Sequence, residues 1–184
     1  MIKSSKPLLW QTALLITLGM SCVPALAAEK TVDIHAVSAN AENKGIGEKI
    51  GTITFKETKE GLSVHPELKG LTPGEHGFHL HENPSCDSAE KDGKWVAAEA
   101  AGSHFDPEHT SKHLGPKGKG HLGDLPKLVV NKQGKAEVKG TASRLKLSDL
   151  EGRSIVIHEQ GDNYSDNPTL GGGGARVACG VITK

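Results

Sequence analysis

Ten histidines stand in this chain of 184 residues, and two of them, His79 and His81, alternate with Phe78 and Leu80 in the stretch GFHLHE, residues 77–82. A period of two is that of a β-strand, so both imidazoles leave the same face of a sheet. Neutral imidazole is a metal ligand, and two side by side make half a metal site. On its own a His-x-His pair reads as a solvated strand face, so the metal reading depends on further donors. They follow downstream: His104 in GSHFDP, His113 in KHLGP, and His121 and Asp124 in GHLGDLP. Three imidazoles and one carboxylate fill a tetrahedral zinc site and leave no position for water, the mark of a structural metal rather than a hydrolytic one. A solvated basic loop with incidental histidines does not account for four donors set between turn-forming glycines and prolines in one segment. His158 ends the run Ser154–Ile157 as His81 ends its own, and with His79 and His81 it gives an all-imidazole set suited to Cu(II).

Those donors need a frame. Thr31–Ser38 and Ile50–Phe55 alternate in the strand pattern, and Gly61–Leu68 is a third candidate whose Pro66 suits an edge. Lys127–Val130, Ala136–Gly140, Ser154–His158 and Arg176–Thr183 are short and bounded by Gly, Asn or Asp. Only Ser148–Glu151 and Ala97–Ala101 offer so much as a helical turn. Short strands with turn signals and no long helix predict an all-β sandwich or barrel. Two long segments, 83–126 and 159–175, do not read as strands. Structureless loops of that length are functional or disordered, and their donors favour function, because a metal can replace the core such loops lack.

The chain begins with Lys3 and Lys6, an apolar run from Leu8 to about Val23, and the small residues Ala25–Ala28. This is the three-part pattern of a secretory signal peptide, residues 1–28, leaving a single domain at 29–184. Without the two leader lysines, 20 basic residues face 22 acidic ones, a balance that points to neither nucleic acid nor a membrane surface as partner. With Cys22 lost in the leader, Cys86 and Cys179 form an even pair in an exported chain and predict one disulfide. In the chain-entropy picture such a bridge contributes at most roughly 4 to 5 kcal/mol.

Taken together and in order, GFHLHE, GSHFDP, KHLGP, GHLGDLP, IVIHEQGDN and GGGGARVACGVI resemble the copper,zinc superoxide dismutases of the bacterial, exported type. The resemblance runs from about Gly77 to Val181. It implies an eight-stranded Greek-key β-barrel with two long loops outside it that hold the metals and form the channel. It also implies dismutation of superoxide to dioxygen and hydrogen peroxide by cycling of Cu(II) and Cu(I), in the periplasm. Carried over by motif, copper is bound by His79, His81, His104 and His158, and zinc by His104, His113, His121 and Asp124. His104 is then shared as an imidazolate bound through both ring nitrogens. Asp162 matches the aspartate that hydrogen-bonds one ligand of each metal, and Arg176 the arginine that docks the anion. Relatives of this type are monomers or homodimers, and Trp95 is a candidate contact for a second copy.

His109 has no role in these motifs and reads as a bystander. His35, His65 and His76 read as solvated or core-satisfied, and Lys91 and Lys94 as solubilising charges that could also steer an anion. The rival function is a copper or zinc carrier on the same barrel without turnover. A zinc hydrolase lacks its helix motif and a base beside an open metal position.

Overall fold

Alternation of apolar and polar residues carries through to the structure, a computed structural model that describes residues 28–184. The leader expected over 1–28 lies, apart from Ala28, outside the described residues. β1 (Glu29–Val37) buries Val32 and Ile34, β2 (Ile46–Thr58) buries Ile50, Ile53 and Phe55, and β3 (Gly61–Leu68) buries Leu62, Val64 and Leu68. β2 outruns the stretch Ile50–Phe55 at both ends because its start pairs with β1 and its end with β1 and β3. β4 (Gly74–His76) and β5 (Phe78–His81) are parted by Gly77 alone. A hairpin of β6 (Ala89–Lys91) and β7 (Lys94–Val96) stands on the first long loop, which also holds a 3-10 turn at Glu99–Ala101. Then come β8 (Leu128–Val130), β9 (Ala136–Val138), β10 (Thr141–Ala142), the single turn α1 (Leu147–Leu150), β11 (Arg153–His158) and β12 (Arg176–Ile182).

The main sheet runs β10-β3-β2-β1-β12-β11-β5, and a second runs β4-β8-β9. They are one surface. The run β4/β5 pairs with β8 through its first half and with β11 through its second. Likewise β9 pairs with β8, and β10, just beyond it, pairs with β3. The staves of the closed barrel are therefore β3, β2, β1, β12, β11, β4/β5, β8 and β9/β10, the eight strands expected. The connections from β3 to β4 and from β10 to β11 skip neighbours, as a Greek key requires. β10 covers only Leu62 and Ser63 of β3, so Pro66 lies where the outer ladder has stopped.

Period two divides each stave between the barrel interior and its outside. Phe78, Leu80, Ile155, Ile157, Ala178 and Ile182 point into the main core with Ile34, Ile53 and Phe55. Each large apolar side chain fully buried there contributes about 1.5 to 3 kcal/mol relative to exposure. The opposite face of β5, β11 and β12 carries His79, His81, Val156, His158 and Cys179, all buried by loops rather than by the barrel. Cys86, Ala98 and Ala101 pack on Val156 and Cys179 in a small second cluster. Within it the Cys86–Cys179 disulfide spans 93 residues and fastens the first loop to β12.

Candidate metal centre

β5 ends its sheet, and its free edge captures two arcs of the long loop. Leu80 donates its N–H to the Gly123 carbonyl and accepts from the Phe105 N–H, both at 2.9 Å, while the Gly123 N–H donates to Phe105 at 2.8 Å. These bonds set His81 opposite His104 and His79 opposite Asp124. A Cβ at Gly123 would collide with the Leu80 carbonyl oxygen, so glycine is required for the approach. His158 arrives from the end of β11, where the ladder to β12 slips and pairs it with Arg176.

Donor atoms of His79, His81, His104 and His158 lie within 4.8 Å of one another, as do those of His79, His104, His113 and Asp124. The hydrogen bonds decide which nitrogen each ring offers. His81 Nδ1 bonds the Gly102 carbonyl at 2.9 Å and His158 Nδ1 the Gly174 carbonyl at 3.2 Å, so each is an N–H donor and Nε2 keeps its lone pair. His79 is turned the other way, its Nε2 donating to Asp162 Oδ2 at 2.7 Å and its Nδ1 free. His104 directs Nδ1 at Asp124 Oδ1, 3.1 Å away, and Nε2 at the first set. Around the same Asp124 oxygen lie His113 Nδ1 at 3.0 Å and His121 Nδ1 at 3.4 Å. Proximity alone would group His79 with the second set. Its ring stacks on His104 and its one free nitrogen is Nδ1, while the unpartnered His121 Nδ1 lies beside the Asp124 oxygen of the second set.

Buried nitrogens without partners test whether metals suit these sets. His79 Nδ1, His81 Nε2, His104 Nε2, His121 Nδ1 and His158 Nε2 have no hydrogen bond. Leaving each unsatisfied costs about 1 to 3 kcal/mol, which cations accepting the lone pairs would remove. Donor separations of 3.0 to 3.4 Å around Asp124 also match the edge of a tetrahedron with bonds of about 2.0 Å, roughly 3.3 Å. The residues fit both metals.

Two carboxylates organise the rings. Asp162 joins the sets, taking His79 Nε2 on one oxygen and His113 Nε2 on the other at 2.7 and 2.8 Å. Gly171, at φ +72°, packs on that junction, where a Cβ would run into Asp162 Oδ1 and His113 Nε2. Asp124 is aimed by the Leu114 and Gly115 N–H groups on its Oδ2, at 3.2 and 3.1 Å. Burial works to raise both carboxyls, yet the imidazoles around them hold both well below the usual carboxylate range. Burial, reinforced by the charge of neighbouring groups, depresses His79 and His81 well below the usual imidazole value and His158 to about 4. His104 is lowered too, by burial against the pull of Asp124. His113 is the exception: burial opposes its charge, but Asp124 and Asp162 on its two nitrogens raise it to about 9.

Arg176 opens β12 beside the first set, donating to the Ala98 carbonyl at 2.6 Å and the Gly102 carbonyl at 2.8 Å. Gly102 thus orients both Arg176 and His81. Lys91 is bound to Glu99 at 2.8 Å, and Lys94 is exposed. His109 is exposed and belongs to neither set. His76 is core-satisfied, its two nitrogens 2.7 and 2.8 Å from the carbonyls of His158 and Thr72. Sequence reasoning missed the contributions of Gly123, Asp166, which takes the His113 N–H at 2.9 Å, and Tyr164, which takes the Lys127 N–H at 2.9 Å. No spacing signal marks them, although the glycine between His121 and Asp124 hints at a close approach.

A family model described as copper/zinc superoxide dismutase (SODC) matches residues 49–182. A Salmonella typhimurium protein named Superoxide dismutase (Cu-Zn) 2 is 54% identical over 165 residues, 89% of this chain and 93% of that one. The solved Cu/Zn superoxide dismutase from Brucella abortus is similar with a TM-score of 0.79 at 50% identity, covering 84% of this chain and 99% of its own. The solution structure of the monomeric copper, zinc enzyme from Salmonella enterica gives 0.74 at 53% identity, covering 85% and 100%.

Proposed function

Because the chain belongs to the copper/zinc superoxide dismutase family, we propose that His79, His81, His104 and His158 hold copper, and His104, His113, His121 and Asp124 hold zinc. The protein dismutes superoxide: one anion is oxidised to dioxygen, and a second, taking the electron and two protons, becomes hydrogen peroxide. Bound copper supplies the one-electron oxidation and reduction, and bound zinc a fixed charge that orients the shared ring.

The observation that carries this reading is His104, whose Nε2 faces the first set without a partner while its Nδ1 faces Asp124. One buried ring belonging to two sets can hold a proton at Nε2 and deliver it to peroxide while staying anchored at Nδ1. Arg176 docks the anion: two carbonyls fix its guanidinium, with the Glu99 carboxylate 3.9 Å from Nη1, and it is the cation placed beside the first set. Asp162 keeps the His79 and His113 rings in register.

The test is dismutation by the metal-loaded protein beside Arg176→Ala and His104→Ala. Arg176→Ala should lower the rate constant by about tenfold or more with both metals retained, and His104→Ala should lose the activity and, with paramagnetic Co(II) in place of diamagnetic zinc, the magnetic coupling of the two sites. Absence of turnover with both metals bound would make the protein a carrier.

Export is part of the proposal. The disulfide supports an oxidising compartment, the periplasm, reached through a leader ending near Ala28; N-terminal sequencing of periplasmic protein should begin at Ala28 or Glu29. For assembly we propose a monomer, like the monomeric Salmonella enterica relative, with Trp95 44% exposed. A dimer mass by sedimentation, abolished by Trp95→Ala, would replace it.

A further inference from the structure

Between β7 and β8 the loop bearing His104, His113, His121 and Asp124 contains no strand, so its rigidity depends on what grips it. At the arc 112–121 the chain folds back on itself, the His121 N–H donating to the Lys112 carbonyl at 2.8 Å. The carbonyls of Gly118, Gly120 and His121 then converge on one guanidinium. Arg144 Nη1 bonds Gly118 and, at 3.2 Å, His121, while Nη2 bonds Gly120 at 2.7 Å. Arg144 is itself fixed to the barrel, since it lies between Ala142 and Leu145, both buried in the core and linked by a turn hydrogen bond of 3.2 Å.

We propose that Arg144 is a positioning residue for the zinc set, one that holds His121 Nδ1 at Asp124 through the backbone of 118–121. A planar fork suits the task, because three carbonyls in one arc need donors in fixed directions that a single ammonium cannot supply. Arg144 touches no ring of either set. It acts on one edge of the zinc tetrahedron and leaves the copper nitrogens alone. The inference rests on the zinc assignment made above.

Zinc and copper affinities would be measured by chelator competition on the mature protein and on Arg144→Ala and Arg144→Lys, together with the visible spectrum of Co(II) in the zinc set. Arg144→Ala should weaken zinc by about 10- to 100-fold and shift the cobalt bands, with copper affinity changed by less than about threefold. Arg144→Lys should recover only part of the loss, and added guanidinium ion should restore zinc retention to the alanine variant alone. Zinc affinity within about twofold of the unaltered protein, with the same cobalt spectrum, overturns the proposal. Should Arg144→Ala fail to fold, an unchanged Arg144→Lys overturns it equally. An unaltered protein that binds no zinc would instead sink the assignment of the zinc set.

Discussion

Among the buried imidazoles, the choice of free nitrogen rests with a partner on the other side of each ring. His79 presents Nδ1 because Asp162 takes its Nε2–H, whereas His81 and His158 present Nε2 because backbone carbonyls take their Nδ1–H. Asp162 is the most consequential of these partners, since it also holds His113 in the second set. Asp162→Ala should therefore weaken both metals, by about 10- to 100-fold, in chelator competition. Equal loss at both sites is the signature; loss at zinc alone would mean that His79 is oriented by other contacts. The sequence marks Asp162 through its place after His158, but the pairing with His79 joins residues 83 apart and has no local signal.

At the scale of elements, the site is an edge problem. β5 has β11 on one side only, and the arcs at 104–105 and 123–124 occupy the other in place of a strand. Gly123→Ala forces that junction apart and should cost about 1 to 3 kcal/mol in urea unfolding of the metal-free protein, the usual penalty of overpacking. The same change should lower zinc affinity, because Asp124 follows directly. The disulfide is the other fastening. It secures the loop whose Ala98 and Gly102 carbonyls hold Arg176. Cys86→Ala with Cys179→Ala should lower the melting temperature, reflecting a loss of at most roughly 4 to 5 kcal/mol, and should also slow dismutation by freeing Arg176. A melting loss without a rate loss would show that the arginine holds its place unaided.

For the whole molecule the balance of charge sets two expectations. Residues 29–184, with 20 basic and 22 acidic side chains, do not attract an anion by net charge, so on the docking role proposed for Arg176 capture would depend on the local field there. The rate constant should fall as ionic strength rises, and a flat salt profile would count against steering. Stability of the metal-free protein should depend on pH in both directions. His158 titrates near 4 when folded against 6.5 when unfolded, so its contribution is complete above 6.5 and is lost as pH falls toward 4. His79, His81 and His104 act in the same sense. His113, raised to about 9, contributes fully below 6.5 and loses its contribution as pH rises through 9. The urea midpoint should thus peak near pH 6.5, and a midpoint that climbs steadily to pH 9 would remove the ion pairs of His113 from the account.

From its residues alone the chain declared a period of two over most of the barrel, a pair of outward histidines on one strand, and donors gathered in one loop. These are local properties, written in side-chain type and spacing, and the structure keeps them: every expected strand is present. What folding alone decided was distant and made largely of backbone. Gly102 serves His81 and Arg176 at once, Gly171 seals the junction of the two sets, and Arg144 gathers three carbonyls of the arc leading to Asp124. A carbonyl has the same identity at every position, so no sequence pattern reveals which will face a given guanidinium or imidazole; only closure of the barrel, which brings residues 21 to 74 positions apart within 3.2 Å, makes that choice.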